Sequence, residues 1–182
     1  MRAMRWLAMS GSLRGTSTNT RLLRAAMDLA PSGVGIELYD GLGDLPHFNP
    51  DLDTGTPPEP VQRLRALVGA SDGLVICTPE YAHGLAGSFK NALDWLVSSL
   101  EFPDKPVAIL NAAARAHHAD GQLREVLTTM SARICEAASV TLTFPRPGMD
   151  SDAMISDPEV AGALGMALAA FATEVGKRSS QS

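Results

Sequence analysis

Ten residues near the amino terminus, Ser10-Gly11-Ser12-Leu13-Arg14-Gly15-Thr16-Ser17-Thr18-Asn19, bring together five hydroxyl side chains, an arginine, an asparagine and two glycines. They stand directly before a run with helical spacing. The first turn of a helix presents unpaired backbone N–H groups and a partial positive charge, so hydroxyls and amides converging there suit a phosphate. Arg14 adds a charge-assisted contact. The plainer reading is that Ser17 or Asn19 caps the helix and the other residues only turn the chain. Position immediately after a first strand favours the ligand reading. Neither GxGxxG nor GxxxxGK[ST] occurs, so the dinucleotide fingerprint and the P-loop lysine are both missing. Many neutral donors without a lysine suit a terminal phosphate monoester.

A second constellation follows Thr78: Pro79-Glu80-Tyr81-Ala82-His83-Gly84-Leu85-Ala86-Gly87-Ser88-Phe89-Lys90-Asn91-Ala92-Leu93-Asp94-Trp95. Pro79 halts a strand, Gly84 and Gly87 let backbone approach a flat ligand, and Tyr81 and His83 offer planar surfaces. Glu80 has the chemistry of a general base, but the reading preferred is that it orders the loop or reaches across a subunit boundary. A third stretch, Asn111 to Ala119, carries Arg115, His117 and His118; solvated loop residues are the plainer reading for both histidines. No third ligand at suitable spacing accompanies them, so no metal site is expected. Cys77 and Cys135 lie in apolar stretches without CxxC spacing and read as ordinary buried thiols rather than a disulfide or zinc framework.

The elements that must position these groups alternate between strand and helix. A first strand spans about Arg5 to Met9. Leu22, Leu23, Ala26, Met27 and Ala30 share a helix face that Pro31-Ser32-Gly33 ends. Val34, Ile36 and Leu38 alternate with polar or small residues as in an edge strand. A long Pro/Gly/Asp-rich loop, Asp40 to about Pro58, is functional or mobile by its length. Val61, Leu64, Leu67 and Val68 mark the second helix, and Gly73 to Thr78 a central, doubly buried strand. The third helix starts near Gly87, and Val107 to Leu110 is the fourth strand. Leu123 through Ile134 mark a fourth helix, Val140 to Phe144 a fifth strand, and Val160 to Phe171 a last helix with Gly162 and Gly165 inside it. Five strands and five helices in alternation predict a doubly wound parallel sheet with function in the loops after strands one, three and four.

The chain has 182 residues, 45% of them hydrophobic and 19% charged, which predicts one domain over residues 1–176 and a frayed tail over 177–182. A formal charge of −5, with only three lysines, argues against a nucleic-acid partner. No run of apolar residues reaches a bilayer-spanning length and no signal peptide is apparent, so a cytoplasmic protein without a membrane partner is expected.

Taken together, GSLRxxSxN at Gly11 to Asn19 and PEYxxxxxGxxKNALDW at Pro79 to Trp95 resemble the NAD(P)H-dependent FMN reductase family of flavodoxin-like proteins. The segment Leu45 to Asp53 is similar to that family's loop after the second strand, and the resemblance covers roughly Arg5 to Ile134. It implies a flavodoxin-like five-stranded sheet of order 2-1-3-4-5. FMN is a phosphate monoester of the kind the first loop suits. By position, Ser12, Arg14, Ser17, Thr18 and Asn19 would hold the FMN phosphate, and Pro79, Glu80, Tyr81, Ala82, His83 and Gly84 would line the ribityl chain and ring, largely through main-chain atoms. Lys90, Asn91, Asp94 and Trp95 look like scaffold. The family's glycines after strand four are missing here; Arg115 or His117 is expected near the flavin N1/O2 edge. The resemblance implies hydride passing from NADPH or NADH to the flavin N5 and on to a small acceptor: flavin, quinone, azo or nitro compound, or metal oxyanion. No acid, base or nucleophile is required of the protein.

Two rivals keep the fold. A non-enzymatic FMN electron carrier would usually show a more acidic face than −5 provides, and the phosphate pocket could serve another phosphorylated ligand. A homodimer or homotetramer is expected, with the third and fourth helices and the loop Asp40 to Pro58 as the contact.

Overall fold

Side chains alternate between two cores along every central strand. The computed structural model describes residues 2–113 and 117–179. In β1 (Met4–Ser10), Trp6 and Ala8 face one side of the sheet and Leu7 and Met9 the other. In β3 (Gly73–Cys77), Val75 and Cys77 oppose Leu74 and Ile76, and in β6 (Pro106–Asn111), Ala108 and Leu110 oppose Val107 and Ile109. A strand has a side-chain period of two, so a sheet covered on both faces needs both sets apolar. Beneath one face lie α1 (Thr18–Asp28), α5 (Ser151–Ser156) and α6 (Pro158–Ser179); α2 (Glu59–Ala70), α3 (Gly87–Leu96) and α4 (His117–Thr129) cover the other.

The sheet order is β2 (Val34–Tyr39), β1, β3, β6, all parallel, as the doubly wound reading requires. The fifth position differs from expectation. Two short strands, β7 (Arg133–Ile134) and β8 (Val140–Thr141), share the β6 edge in place of one strand over Val140 to Phe144. A 3-10 turn at Glu136–Ala138 separates them, and the Ser139 hydroxyl accepts the Ile109 N–H at 3.1 Å, replacing a backbone partner in the gap. Ile134 therefore belongs to β7, and α4 ends at Thr129. Three further departures accompany this one. Helix α5 makes a sixth helix, capped by the Asp150 carboxylate on the Ala153 N–H at 2.9 Å. A two-residue hairpin, β4 (Glu80–Tyr81) and β5 (Gly84–Leu85), follows β3. Helix α6 continues to Ser179, so the expected fraying from Lys177 is not seen over its described part.

Over Pro158–Lys177, α6 is long and apolar enough, by length and composition, to cross a membrane. Its buried stripe of Val160, Leu164, Leu168, Phe171 and Val175 is nonetheless spaced for packing on a sheet, and lies against Trp6 and Val75.

The long loop after β2 is tied down. Asn91 on α3 accepts the Phe48 N–H at 2.7 Å and donates to the Pro46 carbonyl at 2.9 Å, to which Trp95 Nε1 also donates at 2.8 Å. Phe48 meets the Trp95 ring edge-on at 5.0 Å. Farther along, Asp53 pairs with Arg65 at 2.9 Å and accepts the Ser98 hydroxyl; that hydroxyl is the main reason the Asp53 carboxyl titrates below its usual range. The scaffold reading of Asn91 and Trp95 is what the structure shows.

Trp6 and Phe171 join α6 to the sheet with ring centroids 4.6 Å apart in an edge-on arrangement, and both are fully buried. Phe171→Ala is expected to lower unfolding free energy by about 3–5 kcal/mol, read as a shift of the urea midpoint at unchanged slope.

Candidate functional site

The topology sets where a ligand has to go. From β1 the chain crosses to β2 on one side and returns through α2 to β3 on the other, so the loops after β1 and β3 diverge from one point at the carboxyl edge of the sheet. Parallel pairing aligns Ser10 with Cys77. One residue on, the Gly11 N–H donates to the Cys77 carbonyl at 2.9 Å, carrying the sheet bonding into the loop. Gly11 is required there: a Cβ would stand 2.1 Å from Thr78 Oγ1 and 2.6 Å from Thr78 Cβ.

The loop from Ser12 then reaches α1. Ser17 is the N-cap and its hydroxyl accepts the Thr20 N–H at 3.5 Å, while Ser10 and Thr20 hydroxyls bond at 2.7 Å. The capping reading of Ser17 is thus correct but leaves most of the cluster unspent. The N–H groups of Thr18 and Asn19 meet no acceptor among the described residues, and no acidic side chain lies in the first turn. Arg14 is exposed and has no carboxylate partner among the described residues. Ser12 accepts the Arg14 N–H at 3.3 Å and keeps its own hydroxyl hydrogen for another partner. Free N–H groups, hydroxyls and a guanidinium with no competing carboxylate form a donor set that fits a phosphate monoester dianion.

Cys77 links this loop to the strand ends beyond. Its thiol, fully buried, donates to Asn19 Oδ1 at 3.1 Å and accepts a backbone hydrogen bond from Ala112 at the end of β6. Burial pushes the thiol's titration far up, which makes it a structural link and a poor nucleophile. Both cysteines are free and buried, as their setting in apolar stretches predicts.

The second group of residues forms the hairpin. Pro79, Glu80 and Gly84 are partly buried, whereas Tyr81, Ala82 and His83 are exposed; Tyr81 keeps 57% of its surface. Ala82 and His83 both adopt positive φ, 48° and 57°. The Glu80 carboxylate accepts the Ala119 N–H at 2.9 Å, which is the main cause holding its titration below the ordinary value. A carboxylate so held is ionised at neutral pH and poorly suited to general-base work.

The third group is divided. Arg115 lies outside the described residues. His117 and His118 belong not to a loop but to the first turn of α4; their rings lie 4.2 Å apart, and His118 stacks on His83 at 4.5 Å with planes 14° apart. The first loop and the end of β3 are therefore joined through Gly11 and Cys77, and the hairpin and α4 through Glu80 and His83. Sequence reasoning took in Gly11, Cys77 and His118 without their contacts, and it missed the packing of Thr78 against Gly11 and the role of Gln122, whose Oε1 accepts the Leu85 N–H at 2.8 Å.

A doubly wound sheet with a carboxylate-free hydroxyl loop at its switch point and an exposed aromatic hairpin beside it defines a flavodoxin-like mononucleotide-binding protein. The chain belongs to the NADPH-dependent FMN reductase family, whose profile matches residues 4–144. It is 35% identical over 156 residues to an NAD(P)H-dependent FMN reductase of Pseudomonas aeruginosa, covering 83% of this chain and 84% of that one. It is 34% identical over 156 residues to an NADPH:quinone oxidoreductase of Arabidopsis thaliana, covering 82% and 80%. Among solved structures it is similar to FerB, a flavoenzyme NAD(P)H:(acceptor) oxidoreductase of Paracoccus denitrificans, with a TM-score of 0.77, 28% identity and coverage of 96% and 98%. The chain is an NAD(P)H-dependent flavin oxidoreductase with FMN as its cofactor.

Gly11→Ala forces Thr78 away from the first loop and breaks the bridge at the switch point. It is expected to weaken FMN binding by about tenfold or more, measured by quenching of flavin fluorescence, with a stability loss of about 1–3 kcal/mol.

Proposed function

We propose that this protein is an FMN oxidoreductase of the quinone-reductase kind, in which the loop opening α1 anchors the cofactor and the β4–β5 hairpin carries its ring. Ser12, Arg14, Ser17, Thr18 and Asn19 hold the phosphate: Arg14 by charge, Ser12 and Thr18 by hydroxyl, Thr18 and Asn19 also by backbone N–H. Pro79, Glu80, Tyr81, Ala82, His83 and Gly84 line the ribityl chain and ring, mainly through the main chain, and Tyr81 contributes an exposed apolar face. His117, in the first turn of α4, or Arg115 stands near the N1/O2 edge of the ring, where a positive charge would lower the cost of negative charge on the reduced flavin. FMN, when bound, takes hydride from NADPH or NADH and passes it to the acceptor.

The observation that carries this reading is the gathering of hydroxyls, two N–H groups at the start of α1 and Arg14 in one loop with no carboxylate partner for Arg14 among the described residues. A small acceptor of the quinone class is supported by the activity named for the Arabidopsis relative.

The chain works as a homodimer or homotetramer. Leu52, Val97 and Leu100 are 46%, 64% and 92% exposed, and the bond between Ser98 and Asp53 holds them in one neighbourhood, an apolar patch that supports a subunit contact at the end of α3 and in the loop after β2. Free cysteines and a reductant of metabolism fit work in the cytoplasm.

The test is the double variant Arg14→Ala/Ser17→Ala under anaerobic stopped flow. The wild-type flavin absorbance bleaches on mixing with NADPH or NADH and returns when a quinone is added. The variant is expected to lose FMN affinity by about a hundredfold and to bleach only when excess FMN is supplied; unchanged affinity refutes the assignment.

A further inference from the structure

The hairpin after β3 holds a conformation its own residues disfavour. Ala82 and His83, adjacent at its tip, both lie in the left-handed region, and neither is glycine. For a residue with a Cβ that region is strained and persists only where the surroundings impose it. The β4–β5 pairing asks for such a two-residue turn, and three further contacts hold it, all with the first turns of one helix. The Glu80 carboxylate accepts N–H groups of Ala119 and His118 at the start of α4. The His83 ring stacks on His118 at 4.5 Å. The Leu85 N–H donates to Gln122 Oε1 at 2.8 Å, with Gly84 packed against the same side chain. Residues 118, 119 and 122 lie on one side of α4, so the helix grips both strands of the hairpin and its tip.

Glu80 stands on the near side of that grip and satisfies N–H groups that a helix normally leaves to a capping residue of its own. The cap comes instead from a residue 39 positions earlier. A capping bond that spans two loops fixes the distance between them.

We propose that Glu80, with Gln122, is a positioning residue that latches the hairpin to α4 and thereby holds Ala82 and His83 in the conformation that receives the flavin ring. This rests on the reading that the hairpin carries the ring. The latch is made wholly of contacts within the chain, so a hairpin it holds is preorganised and binding bears no cost of ordering it. Glu80 touches no reacting atom in this account; it acts through the helix terminus.

The test compares the full-length wild type with Glu80→Ala, Glu80→Gln, Gln122→Ala and the double variant Glu80→Ala/Ala82→Gly. In the FMN-free protein, amide hydrogen exchange is read at Leu85 and Ala119. Glu80→Ala is expected to speed exchange at both, and to raise the FMN dissociation constant by about tenfold. Gln122→Ala speeds Leu85 alone. Glu80→Gln keeps an acceptor oxygen and stays within about threefold of wild type in affinity. Adding Ala82→Gly removes the strain that the latch opposes and recovers part of the lost affinity without slowing exchange at Ala119. A cap that served stability alone would lower the melting temperature in Glu80→Ala and show no recovery with glycine at 82, which overturns the proposal. Unchanged exchange at Leu85 in Glu80→Ala also overturns it, whatever the flavin does. Faster exchange with unchanged FMN affinity leaves the latch in place but removes the ring from the hairpin; the proposal then falls with that reading, while the Arg14/Ser17 result reports separately on the phosphate loop.

Discussion

Two parallel strands that end in step are the constraint on which the site depends. Because β1 pairs with β3 so that Ser10 stands opposite Cys77, the polypeptide leaves the sheet twice at the same height. The bond from the Gly11 N–H to the Cys77 carbonyl extends that pairing one residue past the sheet and lays the loop before α1 against the start of the hairpin segment. Glycine is needed at 11 because Thr78 occupies the space of its Cβ. A shift of one residue would turn Cys77 from the α1 face to the other and separate it from Asn19.

From this point the site is shared among elements that are held in different ways. The loop proposed to hold the phosphate takes its backbone donors from the terminus of a helix whose apolar face, with Leu22, Leu23 and Ala26, is wholly buried. The hairpin has little core of its own and is bonded to the first turns of α4. Beneath both, the Cys77 thiol touches Asn19 and the backbone at Ala112, so α1, β3 and β6 meet at one buried sulfur. Flavin chemistry asks for anchoring, a bare ring face and control of charge around the ring, and the side chains present are of the kinds that supply those.

Much of this was legible in the chain itself. Alternating apolar strands and amphipathic segments predict the doubly wound sheet because a period of two with both phases apolar has few other solutions. The serine-rich stretch after β1 and the Pro-Glu-Tyr turn after β3 announce themselves by composition. Other features have no local signal. The fifth strand breaks into β7 and β8 because Ser139 replaces a backbone acceptor, a substitution visible only once β6 is alongside. Residues Asn111 to Ala119 read as loop because they lack an apolar period, yet α4 begins at His117; its first turn is capped from Glu80, far away in sequence. Gln122 and Cys77 look like ordinary helix and core positions until their partners arrive by the fold. Long-range polar contacts of this sort are set by topology, and a sequence window cannot contain both ends.

The central claim is that the helix-opening loop grips a phosphate. Titrating the cofactor-free protein with FMN and with riboflavin, which share a ring and ribityl chain and differ in the phosphate alone, tests it most directly. Tighter binding of FMN by about a hundredfold or more, with a gap that narrows as salt is raised, is the predicted result. Equal affinity for the two flavins would contradict the account.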